Sequence, residues 1–105
     1  MTPGFRLGTV EGFFGRQWSW LARKHHADFL AQQGFTTCLY APKNDVYLRK
    51  QWFEPYPADT FNELTALAAH ASALGLEFGV GLSPFELYRD FSAVQRDKLL
   101  RKLDQ

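Results

Sequence analysis

The sequence predicts an α/β fold in which parallel strands alternate with helices, forming the first three β-α units of a TIM (β/α)8 barrel, an incomplete barrel. Three observations predict it. A short apolar run, a loop and a helix-forming stretch follow one another three times along 105 residues. The returns from helix to next strand are short and carry Gly34 and Gly75, the residue type that ends helices. The residues unusual for plain connections fall on the loops after strands, which in a barrel share one rim and build the site. Helical crossovers between consecutive strands make those strands parallel. A doubly wound sheet is the competing arrangement, but Gly12 and Gly15 lack the spacing of a glycine-rich phosphate fingerprint.

The first unit, about residues 5–34, opens with Phe5-Arg6-Leu7-Gly8-Thr9-Val10, a strand, and runs into Glu11-Gly12-Phe13-Phe14-Gly15-Arg16, where two glycines around paired aromatics mark a loop with special backbone demands. Ser19 suits an N-cap. Ala22, His26, Phe29 and Leu30 then fall at i, i+4, i+7 and i+8, one face of a helix ending at Gly34. The second unit, about 35–75, begins with the β-rich Phe35-Thr36-Thr37-Cys38-Leu39-Tyr40-Ala41. Pro42 interrupts it, and a polar and aromatic loop runs to about Pro57, a functional candidate on length alone. Phe61, Leu64, Ala68, Ala71 and Leu74 keep helical spacing up to Gly75. The third unit, about 76–105, has Leu76 to Leu82 as a strand whose Gly79 and Gly81 admit close neighbours. Ser92 and Gln95 have the spacing of a capping box, and Val94, Leu99 and Leu103 give a partial apolar face. Residues 1–105 therefore read as one part of a domain, since a closed barrel takes about 250 residues.

Composition bounds the function. Twelve basic against eleven acidic residues leave a net charge of +1 with the basic residues scattered, which argues for no nucleic-acid partner and no membrane surface. A hydrophobic content of 46% suits a globular chain, and no stretch reaches the roughly 18 apolar residues of a membrane span. The first twelve residues lack the apolar run of a signal peptide, and the lone Cys38 cannot form an internal disulfide, so a cytoplasmic, soluble protein is expected. Cys38 itself reads as a small core residue.

Three loop sets lie on the expected rim: Glu11 to Arg16, Pro42 to Asp45, and Ser83 to Tyr88. Glu11 is a carboxylate at a strand end, but no second carboxylate is placed beside it, so pairing with Arg16 or loop donors is its simplest use. His25 and His26 are adjacent, project to different helix faces and make no metal pair; no metal and no cofactor is expected. Trp18, Trp20 and Trp52 offer faces for a sugar platform, but packing of loops against the barrel is their simpler use.

The order Thr9-Val10-Glu11-Gly12-Phe13-Phe14-Gly15-Arg16-Gln17-Trp18-Ser19-Trp20, then Leu39-Tyr40-Ala41-Pro42-Lys43-Asn44-Asp45, then Arg49 to Trp52 with Glu54-Pro55-Tyr56, then Leu82-Ser83-Pro84, resembles the N-terminal part of the catalytic barrel of glycoside hydrolase family 84, the O-GlcNAcases and β-N-acetylglucosaminidases historically called hyaluronidases. The resemblance runs from about Gly8 to Gln105. It implies a retaining hydrolase of terminal β-linked N-acetylglucosamine on a glycan or glycoprotein, with the substrate's acetamido oxygen as nucleophile, an exception to the two-carboxylate scheme.

By motif, Gly12 matches the glycine whose main chain faces a sugar hydroxyl and Lys43 the lysine that reaches the same sugar. Glu11, Phe14 and Asp45 stand beside them as supporting residues. The resemblance also places the working aspartate pair after a fourth strand, beyond these residues. Asp104 belongs to the third helix, and so the chain is expected to hold no catalytic residue and to be inactive alone. Phe14 departs from the family's usual tyrosine, Asn44 from the first of two aspartates after the lysine, and Phe85-Glu86-Leu87 from a glycine-containing segment. The alternative is a non-catalytic sugar-binding or assembly module that completes a barrel by oligomerising or by pairing with another chain.

Overall fold

A computed structural model describes residues 6–12, 16–83 and 92–105. Its elements run β1 (Gly8–Glu11), α1 (Trp20–Gln32), β2 (Thr37–Tyr40), a 3-10 turn (Val46–Leu48), α2 (Ala58–Ala73), β3 (Glu77–Val80) and α3 (Ala93–Asp104). Among the described residues three strands form one open sheet in the order β1-β2-β3, and both pairings are parallel, with Val10 opposite Leu39 and Leu39 opposite Gly79. The helices α1 and α2 contact one another and lie on the same face of that sheet, where Ala27, Leu30, Ala71 and Leu76 form a core with Cys38 and Phe78 against it. A doubly wound sheet places helices on both faces; here consecutive strands keep consecutive helices on one.

Local chemistry explains the element ends. Ser19 caps α1 by accepting the Ala22 N–H at 3.0 Å, and Ser92 caps α3 by accepting the Gln95 N–H at 3.3 Å. Gly34 and Gly75 both adopt φ of 83°, the left-handed conformation that ends a helix and that only glycine enters without a Cβ penalty. Gly79 and Gly81 serve packing instead. A Cβ on Gly79 would stand 2.5 Å from Leu39 Cδ2, and one on Gly81 would stand 2.7 Å from the Ala41 Cβ, so the neighbours that approach β3 are side chains of the β2 segment.

The α1 face is rotated from the one expected. Its buried residues are Arg23, Ala27 and Leu30, while Ala22 and Phe29 are exposed and His26 is half-buried with Trp18 edge-on at 5.0 Å. Counting only apolar positions hides this face, because one of its three members is an arginine. On α3 the apolar positions Val94 and Leu103 are exposed, and the helix instead rests through its C-terminal end on the segment before α2. There the Lys102 ammonium donates to the Glu54 carbonyl and Gln105 Oε1 accepts the Tyr56 N–H at 3.0 Å. Burial lowers the Lys102 ammonium from its ordinary range. On the sheet face away from α1 and α2, Val10 is 61% exposed and Leu39 is exposed as well. No helix of the described residues is long and apolar enough to cross a membrane.

Candidate functional site

Parallel strands end on one edge, and the backbone ladder extends past them. The Ala41 N–H donates to the Glu11 carbonyl at 3.1 Å, the Gly81 N–H to the Tyr40 carbonyl at 2.9 Å, and the Ser83 N–H to the Leu48 carbonyl at 2.7 Å. Gly12, Ala41 to Lys43, and Gly81 to Ser83 are thereby brought to one edge. Phe14 and most of the expected third loop, residues 84–91, lie outside the described residues.

Glu11 and Gly12 are neighbours with different surroundings. The Glu11 carboxylate turns into the helix layer and is clamped by Arg23, whose Nε lies 2.9 and 3.1 Å from the two carboxylate oxygens and whose Nη2 lies 2.8 Å from one of them. The partner is Arg23 and not Arg16, which is exposed. The pair is buried, with side-chain exposures of 3% for Arg23 and 10% for Glu11. Gln17 Oε1 accepts from Arg23 Nη2 at 3.0 Å, and the guanidinium carbon lies 4.5 Å from the Trp20 ring centre and 5.0 Å from that of Tyr40. A planar fork matched to a planar carboxylate and stacked on aromatic faces is the geometry that suits arginine and not lysine. Glu11 is thus fully engaged and presents no free carboxylate. Gly12 does not adopt a left-handed φ, and a Cβ there would meet only ordinary contacts, Val10 Cγ1 at 3.4 Å and the Ala41 carbonyl oxygen at 3.9 Å. Neither backbone strain nor packing among the described residues therefore requires glycine at this position.

Lys43 sits at the tip of a turn that starts from Pro42, whose side chain is fully buried. The Asp45 N–H donates to the Pro42 carbonyl at 3.1 Å and closes the turn, with Lys43 and Asn44 exposed at its tip. The Lys43 ammonium forms no ion pair with any described residue. Its main-chain carbonyl accepts from Arg49 Nη1 at 3.1 Å.

Asp45 is 5% exposed. One of its oxygens accepts from the Tyr40 hydroxyl at 2.5 Å and the Tyr56 hydroxyl at 2.8 Å, and the other accepts the Tyr47 N–H at 3.0 Å. Burial first, and the hydrogen bond to Asp45 second, raise both phenols well above the ordinary tyrosine value of 10.0. The fold favours the neutral phenol, so its contribution is complete below pH 10 and is lost as rising pH ionises the unfolded chain first. Spectrophotometric titration is expected to show Tyr40 and Tyr56 ionising only together with alkaline unfolding. Tyr40→Phe and Tyr56→Phe should each remove one late-titrating phenol, whereas ordinary titration of both in the folded chain would contradict the geometry.

The long segment after β2 is therefore less open than its length suggests. Leu48 and Trp52 are buried, and Tyr40, Leu48, Tyr56 and Leu64 form a second core with Trp20 and Phe61 against it. Trp52 and Trp20 serve packing, Trp20 stacked on Tyr40 with ring centres 5.8 Å apart. A cavity of about 400 Å³ lies beside this core, lined by Trp18, Trp20, Arg23, Tyr40, Asp45 and Tyr47 among others, on the helix side of the sheet. Cys38 packs against the α1–α2 core, and burial, with Glu11 nearby, raises its thiol above the ordinary range. Among the described residues no group of His, Cys, Asp and Glu could hold a metal ion.

Sequence reasoning missed Arg23 and the sharing of Asp45 by Tyr40 and Tyr56. The first had a signal: Arg23, Ala27 and Leu30 stand at i, i+4 and i+7, and a charge on an apolar stripe calls for a buried counter-charge such as Glu11.

Known proteins are similar to this chain in sequence and fold. A profile of the β-N-acetylglucosaminidase family matches residues 7–105. Protein O-GlcNAcase of Rattus norvegicus and that of Mus musculus are each 36% identical over 101 residues, which cover 96% of this chain and 11% of theirs. The structure of an O-GlcNAc hydrolase of Thermobaculum terrenum, an aspartate-to-asparagine mutant, superposes with a TM-score of 0.86 at 30% identity, over 94% of this chain and 21% of that one. The chain thus spans a small part of the length of these relatives. With an α/β sheet of parallel strands, a match along 7–105 and the same fold in a glycosidase, the chain belongs to the β-N-acetylglucosaminidase family.

Proposed function

We propose that Gly12 and Lys43 form part of the sugar-binding rim of a β-N-acetylglucosaminidase, on strands that are the first three of an eight-stranded barrel. The observation that supports this reading is a paired one. At the edge where the parallel strands end, an exposed ammonium without an ion-pair partner among the described residues stands on a closed turn, and a glycine that neither conformation nor packing demands lies beside the Ala41 carbonyl. An ammonium offers three donors to hydroxyl oxygens, and a backbone without Cβ lets a sugar hydroxyl come close.

In this reading the acetamido oxygen of a terminal β-linked N-acetylglucosamine bonds to the anomeric carbon as the bond to the aglycone oxygen breaks. A carboxylic acid outside these residues protonates that oxygen, and water, giving a proton to the resulting carboxylate, then attacks the anomeric carbon and displaces the acetamido oxygen, so that configuration is retained. Glu11 and Asp45 take no part in proton transfer, since both carboxylates are held by partners within the fold. The 105-residue chain supplies sugar contacts and not proton transfer.

The test is a chimera in which the matching segment of the Thermobaculum terrenum hydrolase, in its unmutated form, is replaced by residues 7–105. Hydrolysis of a chromogenic β-N-acetylglucosaminide is expected from the chimera and not from the isolated chain. Lys43→Ala in the chimera should lower kcat/KM by roughly 10- to 100-fold, the loss of one charge-assisted hydrogen bond. An unchanged kcat/KM would remove Lys43 from the site, and an inactive parent chimera would count against the rim as a whole.

A further inference from the structure

We infer that Asp45 is the positioning residue for Lys43, acting through the turn and not on the sugar; this rests on the reading of Lys43 as a sugar contact. A lysine side chain has a flexible stem, and its usefulness at a fixed ligand depends on how firmly its backbone is placed. Three elements of the chain converge on the Asp45 carboxylate. Tyr40 comes from the end of β2, Tyr47 from the 3-10 turn and Tyr56 from the approach to α2. The Asp45 N–H meanwhile closes the turn onto Pro42, and Arg49 holds the Lys43 carbonyl. The turn cannot slide or pivot without breaking a buried hydrogen bond to a carboxylate, the kind whose loss is costly. Asp45 is turned inward and occupied on both oxygens, so it fixes where the ammonium starts from and touches no substrate.

Two measurements test this independently. In the 105-residue chain, nitrogen-15 relaxation is expected to give rigid amides at Lys43 and Asn44, with order parameters of about 0.85, falling below about 0.6 in Asp45→Asn while the α1 and α2 amides stay rigid. Unchanged order parameters at the tip would overturn the inference whatever Lys43 binds. In the chimera, Asp45→Asn should lower kcat/KM roughly tenfold on its own and by less than about twofold when Lys43 is already alanine, because the two residues act through one contact. An equal loss in both backgrounds would mark Asp45 as merely structural and overturn the inference. A loss with Lys43→Ala but none with Asp45→Asn would overturn the positioning role alone, and no loss with either would overturn the sugar-site reading with it. Should Asp45→Asn fail to fold, Tyr56→Phe removes one donor from the same oxygen and carries both measurements.

Discussion

Glu11→Ala is expected to destabilise the chain by about 3–5 kcal/mol, the cost of leaving a buried charge without its partner. The Arg23 guanidinium is 3% exposed and cannot be deprotonated in a protein, so it has no neutral form to retreat to. Gln17 and the rings of Trp20 and Tyr40 remain as partners after the substitution, but none carries a full opposite charge. Domains of this size hold roughly 5–15 kcal/mol in all, so the loss takes a large share of the margin. Urea unfolding of the isolated chain checks it. Combining Glu11→Ala with Arg23→Met should recover much of the loss, because an apolar side chain in that position carries no desolvation penalty. A single-variant loss below about 1 kcal/mol would mean that the pair behaves as a surface salt bridge, against its burial.

Asp45→Ala should cost about 2–4 kcal/mol, for a different reason. It removes the acceptor for two buried hydroxyls and one N–H together, and each donor left unsatisfied costs roughly 1–3 kcal/mol, with partial relief as the three share the vacated space. In Asp45→Asn only one side-chain oxygen can still accept while the NH2 cannot, so the side chain keeps its volume but loses its grip on one side of the turn, which makes that variant the better probe of positioning. Urea unfolding of Asp45→Ala in a Tyr40→Phe, Tyr56→Phe background separates the contributions: with both hydroxyls gone, the further loss should fall well below that in the parent chain. An undiminished loss would assign the stability of this turn to some interaction other than the carboxylate's.

The alternation of strand and helix was legible because each element carries its own local signal. Gly34 and Gly75 sit where the helix must turn back, Ser19 and Ser92 are where free N–H groups need an acceptor, and period and length separate the strands from the helices between them. The edge position of Gly12 and Lys43 was legible for the same reason, since both follow directly from a strand. The partners of the charged residues were not. Arg23 lies 12 positions from Glu11, and Tyr56 lies 11 from Asp45, distances over which periodicity says nothing and only the folded chain decides which side chains meet. The reading of α1 went astray by one position for this reason. An arginine counts as a surface residue until its counter-charge is located, and here the counter-charge stands on a strand.

Tyr40 belongs to both polar groups at once. Its ring lies beneath the Arg23 cation and its hydroxyl donates to the Asp45 anion. Burial and the hydrogen bond to Asp45 raise this phenol, while Arg23 pulls it down and Glu11 pushes it up, so the two charges of the ion pair oppose one another at the ring. A single aromatic side chain thus joins the buried ion pair beside the strand end before Gly12 to the turn that carries Lys43, so a substitution at Glu11 that lets Arg23 drift is expected to disturb the seat of the ring that donates to Asp45. A double-mutant cycle between Glu11 and Asp45 measures that connection directly, and strict additivity would show that the ring transmits nothing.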